Sequence, residues 1–143
     1  MLKAVQTRLE SRVPELENRV DLAAEFARLR ESGRGPVGGV ACFVLPSGTT
    51  GLQARASSGL FVQDIRLGVS VVTMLQSTDA TGQRALDRID EFLKEIQRAL
   101  CGWAPTDTVG VFELASERPV PQERGTLAFL TDFRINDQLR IPT

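Results

Sequence analysis

The sequence predicts an α+β fold: a mixed, mainly antiparallel sheet of about four to five strands, with a long helix and one or two shorter helices packed on it. Segment 79–105 has the periodicity of an amphipathic helix, and four other segments have strand patterns. The predicted order α, α, β, β, α, β, β groups the strands into hairpin-like pairs. A chain of 143 residues, 42% hydrophobic and 24% charged, fits a single domain spanning 1–143.

The longest predicted helix lies within 79–105. Its apolar residues fall within an arc of roughly 140°, opposite the charged residues. They are Ala85, Leu86, Ile89, Phe92, Leu93, Ile96, Ala99 and Leu100. Thr78 or Asp79 can cap its N-terminus. Gly102 suits the left-handed residue that closes many helices, and Pro105 forbids continuation.

Two shorter helices are predicted near the N-terminus. Leu2, Val5 and Leu9 recur at helical spacing, in a helix that ends before Pro14. Segment 15–20 is predicted to be a short extended piece. Asp21 resembles the N-cap of a second helix. The apolar residues of that helix are Leu22, Ala23, Phe26 and Leu29. The glycine-rich segment 33–39 has neither a strand before it nor a helix after it, which argues against a phosphate-binding loop.

The first two predicted strands lie on either side of a polar segment. Segment 40–45, VACFVL, is typical of a central strand buried on both faces. Segment 46–58 is small and polar, and it is predicted to be a loop that is either functional or slack. Segment 61–76 alternates, but Val72 and Met74 make its second face apolar near the end. That end is either covered by another element or is an interface for a second subunit.

Two further strands are predicted after the long helix, at 109–115 and 127–135. Segment 116–125 between them is charged and contains two prolines, so it is predicted to be a long exposed loop. The tail after Asn136 is predicted to be short, with Leu139 and Ile141 as possible anchors for a neighbouring molecule. We expect 46–58 and 116–125 to be the most mobile internal segments.

The sequence lacks the residue types on which many catalytic sites depend. It has no His and no Tyr, which excludes Ser-His-Asp and Cys-His arrangements and imidazole metal sites. Cys42 and Cys101 have no zinc-site spacing and are predicted to be small buried residues. The cluster Asp87, Asp90 and Glu91 lies on the polar helix face, where solvated carboxylates are the default. We therefore expect no enzyme, no cofactor and no metal.

Charge and hydropathy also bound the partners. The net charge of −1 gives no indication of a nucleic-acid or anionic-membrane partner. No apolar run approaches the 18 residues of a membrane span, and the N-terminus lacks the apolar core of a signal peptide. The expected protein is soluble and intracellular. Asp64 with Arg66, or Asp132 with Arg134, can form ordinary surface ion pairs across strands.

A combination of short motifs in this order resembles the tail terminator proteins of long-tailed bacteriophages. The motifs are a leading helix, an apolar strand ending in VLPSG, the long strand 61–76, the long helix, the turn formed by Gly102, Trp103 and Pro105, and a final strand containing Phe133. The local interpretation of the turn is structural: Gly102 reverses the chain, Trp103 covers the helix end and Pro105 starts the next segment.

The resemblance implies a virion structural protein in the neck region of the tail, made in the host cytoplasm. Such proteins form a homohexameric ring that stops polymerisation of the major tail tube protein and presents a surface to the head–tail connector or neck protein. DNA later passes through the lumen. Candidate ring-contact residues are Arg66, Val72, Met74, Phe133 and Arg134. Two alternatives are another neck or head-completion protein, and a small enzyme or ligand-binding domain that works without His.

Overall fold

A computed structural model describes residues 1–32, 39–76, 83–121 and 125–143. It confirms the predicted α+β class, with three α-helices, a 3-10 turn and a five-stranded mixed sheet among those residues. The helices are α1 (Leu2–Arg12), α2 (Ala23–Ser32) and α3 (Gln83–Leu100), and the 3-10 turn is Pro14–Leu16. The strands are β1 (Val20–Asp21), β2 (Val40–Ser57), β3 (Leu60–Gln76), β4 (Glu113–Pro119) and β5 (Thr126–Pro142).

The sheet has the strand order β1-β2-β3-β5-β4, so β3 is its central strand. The two-residue β1 pairs in parallel with β2, and every other pair is antiparallel. The pairing of β3 with β5 runs without a register shift from Leu60↔Pro142 to Gln76↔Thr126. The pairing of β2 with β3 shifts twice, between Pro46 and Gly48 and between Gly51 and Ala54. Because side chains alternate between faces, the unbroken β3–β5 register fixes which residues share a face.

One face of the sheet is covered by α1 and α3. Val5 and Leu9 of α1 and the apolar stripe of α3 are buried against it. The predicted burial of Leu93 and Ile96 is confirmed. The prediction for Leu86 is wrong because its side chain is exposed. It points in nearly the same direction as the buried Leu93, seven residues later, but it lies in the first turn of α3, at the end of the apolar stripe.

The other face of the sheet is covered by α2. Phe26 of α2 packs against Phe43 of β2, with the ring centroids 5.0 Å apart. Both belong to a second apolar cluster that contains Val72 and Met74. Helices therefore lie on both faces of the sheet, because a strand that is apolar on two sides needs cover on two sides.

The N-terminal region follows the predicted helices closely. The helix ending before Pro14 is confirmed as α1, and the second helix is confirmed as α2. Asp21 belongs to β1, where it pairs with Phe43, and α2 begins two residues later at Ala23. The Phe26 amide donates to the Leu22 carbonyl at 3.3 Å. The predicted extended piece 15–20 is a strand only at Val20, because a 3-10 turn occupies Pro14–Leu16.

Three predictions about the strands are wrong because residues expected in a loop or tail belong to a strand. Segment 46–57 is a strand, although it was predicted to be a loop within 46–58. β4 lies at Glu113–Pro119 instead of 109–115, so the first four residues of the predicted loop 116–125 are also strand. β5 continues through the predicted tail to Pro142. In each case backbone pairing with β3 or β5 supplies hydrogen bonds that an apolar pattern does not reveal.

The cap residues Thr78 and Asp79, and most of the glycine-rich segment 33–39, lie outside the described residues. Within the described part of the chain, no helix is long and apolar enough to cross a membrane.

Candidate interaction surface

Three strands continue beyond the helices to form an arm, defined here as residues 50–57, 60–66 and 136–142. The strands of the arm pair directly, with Thr50 opposite Arg66 and Arg66 opposite Asn136. Residues Ser58 and Gly59 form the turn at its tip. The side chains of 50–57 are exposed, whereas those of 69–75 in the body of the sheet are buried. The arm is thus a sheet segment with both faces open to solvent.

The two faces of the arm differ in chemistry. One face continues the core side of β3 and β5, because its residues have the same parity as the buried Phe133 and Ile135. This apolar face carries Ala54, Ala56, Phe61, Ile65, Leu139 and Ile141, together with Gln63 and Asp137. The opposite, polar face carries Arg55, Asp64, Arg66, Gln138 and Arg140 beside Thr50, Val62 and Asn136.

Side-chain hydrogen bonds run across the polar face. Arg66 Nε donates to Asn136 Oδ1 at 3.3 Å. Gln138 Nε2 donates to Asp64 Oδ1 at 3.1 Å, and Arg140 Nε donates to Gln138 Oε1 at 2.8 Å. These partners replace the predicted pairing of Asp64 with Arg66. The first two bonds link β3 to β5, and the third lies within β5.

A cavity of about 370 Å³ lies at the base of the arm on its polar side. Arg66 and Arg134 line it together with backbone and hydroxyl groups of β2 and β4. Arg134 Nε lies 2.6 Å from Glu113 Oε1 in an exposed ion pair, while Asp132 accepts hydrogen bonds from Ser70 and Ser116. The predicted pairing of Asp132 with Arg134 is therefore not the one that the structure has. Arg134 thus pairs with a carboxylate, whereas Arg66 and Asp132 are hydrogen-bonded to uncharged side chains.

Next to the arm, Val109, Val111 and Leu114 are exposed apolar residues close together in the sequence, and they are called the ridge here. The backbone beneath them is fixed. The Gly110 amide donates to the Asn136 carbonyl at 2.9 Å, and the Phe112 amide donates to the Trp103 carbonyl at 2.9 Å. A Cβ at Gly110 would lie 3.0 Å from the Asn136 carbonyl oxygen, so glycine permits this close approach to β5. Val109 and Val111 were predicted to lie in the strand 109–115. Their V-G-V spacing was the sequence feature that marked this segment.

The turn after α3 has the geometry expected of a helix end. Gly102 has φ +82, in the left-handed region, and the Trp103 amide donates to the Leu100 carbonyl at 3.1 Å. Trp103 is partly buried against the core and stacks on Phe112, with ring centroids 6.1 Å apart. The Arg8 guanidinium carbon lies 5.1 Å from the Trp103 ring centroid. Pro105 lies just beyond, outside any helix. Each residue of the turn thus has a local structural role.

The five candidate ring-contact residues divide into two sets. Val72, Met74 and Phe133 are buried within this chain's own apolar clusters. Two explanations were considered for the apolar end of β3: cover by another element, or an interface for a second subunit. The structure agrees with the first, because elements of the same chain bury this end. Arg66 and Arg134 lie together at the base of the arm and line one cavity. Only these two have polar groups directed at a surface that a neighbour can reach.

Comparison with protein families decides what kind of protein has this arm. The model of the family described as phage tail terminator protein matches residues 2–143. The chain belongs to the phage tail terminator family. This is a family of structural proteins of the phage tail. The resemblance seen in the short motifs is thereby confirmed along almost the whole chain.

Comparison with solved structures supports the fold of this tail terminator chain. A chain from the virion of a native gene transfer agent particle matches with a TM-score of 0.59. The match covers 97% of this chain and 95% of that chain at 12% sequence identity, so it shows a shared fold. A second solved structure matches at 12% identity with a TM-score of 0.45, over 100% of this chain and 99% of the other, and is too distant to carry an argument. No curated protein sequence gives a significant match.

The thiols of this tail terminator chain lie in different environments. Cys42 is buried, and burial raises the pKa of its thiol to about 12, so the thiol stays protonated at neutral pH. Cys101 is exposed, which contradicts its predicted burial. It lies in the turn directly after α3, at the edge of the core. Across the residues that the structure describes, no group of three or more Cys, Asp or Glu side chains is arranged to hold a metal ion.

Proposed function

We propose that this protein assembles as a homohexameric ring on the head-proximal end of the phage tail tube. In that position it stops polymerisation of the major tail tube protein and offers a surface to the head–tail connector or neck protein. DNA passes through the lumen of the ring. The protein acts by assembly, without catalysis, as one domain spanning 1–143.

The observation that carries this proposal is an arm without cover in a chain of the tail terminator family. The arm has two open faces and also free strand edges. Such edges invite pairing with other chains, so they are unusual in a protein that works alone. Among the described residues, β1 covers the outer edge of β2 only at Cys42 and Phe43. An assembly of several copies gives such an arm a neighbour to contact.

Ring assembly also allows each contact between subunits to be weak. Each subunit held on a tube end raises the effective concentration of the next, so weak contacts between subunits are multiplied in the closed ring. A protein that is monomeric in dilute solution is then stable as a ring on the tube. The gene transfer agent virion protein with the same fold is compatible with a place in a phage-like particle.

Growth of tail tubes in the presence of the protein tests this proposal. Purified tube protein is assembled with and without this protein, and the tubes are imaged by electron microscopy. We expect tubes that carry a ring at one end and no longer elongate. Unchanged growth with bare ends, at a protein concentration well above that of the tube subunit, would contradict the proposal and favour a different neck or head-completion protein.

Charge reversal at the base of the arm tests the proposed role of the arginines in the ring. Arg66→Glu removes a guanidinium from the cavity and places a carboxylate near Asp64 and Asp132, so we expect weaker capping of tubes. Arg98→Glu, on the exposed side of α3, is the matched control and should leave capping unchanged. Circular dichroism melting checks that both variants fold. Equal capping by the two variants would remove Arg66 from the ring contact.

A further inference from the structure

The large hydrophobic side chains that the described residues expose are concentrated in two places. The arm exposes Leu52, Leu139 and Ile141, the last with 44% of its surface accessible. The ridge exposes Val109 at 71%, Val111 at 51% and Leu114. Single exposed hydrophobic residues are ordinary, whereas grouped ones indicate contact with another molecule.

Both apolar surfaces are joined to the sheet by backbone hydrogen bonds. The ridge is fixed by the backbone bonds of Gly110 and Phe112, and the arm is fixed by unbroken pairing of β3 with β5. The only ionisable side chain on the apolar face of the arm is Asp137, and its Oδ1 already accepts from the Val109 amide at 3.3 Å. Covering this face therefore removes little unpaired charge from water, and rigid surfaces lose little entropy on binding.

We propose that the apolar face of the arm in one copy packs on the ridge of the neighbouring copy. The inference rests on the proposed ring. A ring of identical subunits closes through a heterologous contact, in which one patch meets a different patch on the next subunit. The apolar face of the arm and the ridge are two such patches. The arginines at 55, 66 and 140 lie on the opposite face of the arm and take no part in this contact, so the polar ring contact proposed for Arg66 is separate from it.

The area of the contact agrees with assembly in a ring rather than as a pair. At ordinary strand dimensions the arm is roughly 20 Å long and 15 Å wide, so one face offers about 300 Å². A stable two-protein interface needs about 800 Å² from each partner. Two copies joined by this contact alone should therefore dissociate readily, whereas each subunit of a closed ring makes the contact twice, once with its arm and once with its ridge.

Disulfide cross-linking between two variants tests the contact. Ile141→Cys and Val109→Cys are made separately in a Cys101→Ser background, because Cys101 is an exposed thiol and Cys42 is buried. The two variants are mixed on tail tube ends and oxidised. We expect cross-linked chains that contain one copy of each variant, since a disulfide requires Cα atoms within about 7 Å. Arg140→Cys, on the opposite face of the arm, is the matched control and should not link to Val109→Cys.

The outcomes separate this inference from the proposed function. Rings on the tubes with no cross-link between the two variants would overturn the arm–ridge contact and leave the ring proposal standing. Linking of Ile141→Cys only to itself would also overturn it, because that result indicates a two-fold contact between arms. Bare tube ends with the unmodified protein would overturn both. As an independent readout, Ile141→Asp should raise the protein concentration needed for ring formation at least about tenfold, while Arg140→Asp leaves it nearly unchanged.

Discussion

The two halves of β3 lie in different environments although they form one continuous strand. Residues 69–75 are buried on both faces, by α1 and α3 on one side and by α2 on the other. Residues 60–66 have the same two strand neighbours, β2 and β5, but lie in the arm and are partly exposed. The body is therefore stabilised by burial of apolar side chains, whereas the arm is stabilised mainly by backbone pairing.

The largest test of this comparison is a pair of Leu→Ala substitutions. Leu93→Ala in the body should lower the free energy of unfolding by about 2–5 kcal/mol, since it leaves a cavity in a packed core. Leu139→Ala on the exposed apolar face of the arm should cost under about 1 kcal/mol, because little buried surface is lost. Urea unfolding of the isolated protein measures both. Equal losses for the two variants would mean that the arm packs against the body.

The contrast explains which elements the sequence could predict. Apolar periodicity reports burial, so α3 with Leu93 and Ile96, and the inner half of β3 with Val72 and Met74, were recognisable. Segment 46–57 has no such periodicity, because water covers both of its faces. Its strand conformation depends on pairing with residues beyond the turn at 58–59. That long-range pairing cannot be read from local composition.

The turn after α3 offers a test of intermediate size at the boundary of the body. Gly102→Ala should lower the free energy of unfolding by about 1 kcal/mol, because an alanine is strained at φ +82 although nothing lies within 4 Å of its added Cβ. Gly102→Asn is the matched control and should cost less, since asparagine tolerates the left-handed conformation better. Urea unfolding measures both variants. A larger loss for Gly102→Asn would exclude this backbone explanation.

The candidate site was predictable only in part, for a related reason. Arg66 and Arg134 were identified as candidates, but their partners were not, because Asn136 and Glu113 lie on strands whose register the sequence does not specify. Leu139 and Ile141 were expected in a short tail, as possible anchors for a neighbouring molecule, and they lie in β5, which extends through that tail into the arm. The exposure of Val109 and Val111 depends on a backbone contact between Gly110 and Asn136. Such a contact has no signature in hydropathy.

Amide hydrogen exchange of the monomer compares the body and the arm directly. Amides of residues 69–75 should exchange slowest, at rates close to those of global unfolding. Amides of 60–66 in the arm should be protected to a lesser degree, because β2 and β5 pair with them on both sides but no helix covers them. In 50–57, bonded and free amides should alternate, giving slow and fast exchange in turn. Uniformly fast exchange throughout the arm would mean that it does not form in the monomer.

The smallest expected effect concerns a carboxyl group at the surface of the body. Glu95 of α3 has an Oε2 that is inaccessible to water and lacks a hydrogen-bond partner. Burial raises the pKa of Glu95, and the nearby carboxylates of Glu15 and Glu91 raise it further. A carboxyl whose pKa is raised on folding binds its proton more tightly in the folded chain than in the unfolded one. Its stabilising contribution is complete below the unfolded pKa and is lost as the pH rises through the folded pKa.

Glu95→Gln should therefore make the protein slightly more stable at pH 7. The amide has nearly the same shape, carries no charge and can donate to Glu15, so it removes the repulsion without opening a cavity. The gain should disappear below about pH 4, where Glu95 of the unmodified protein is also uncharged. Melting temperatures measured from pH 3 to pH 8 follow this difference.

Asp90→Asn is the control of opposite sign, because it removes the exposed 2.9 Å ion pair with Lys94 and should lower stability slightly at pH 7. If Glu95→Gln instead destabilises the protein at neutral pH, the Glu95 carboxylate is paired with a cation, and the repulsion from Glu15 and Glu91 does not govern its energy.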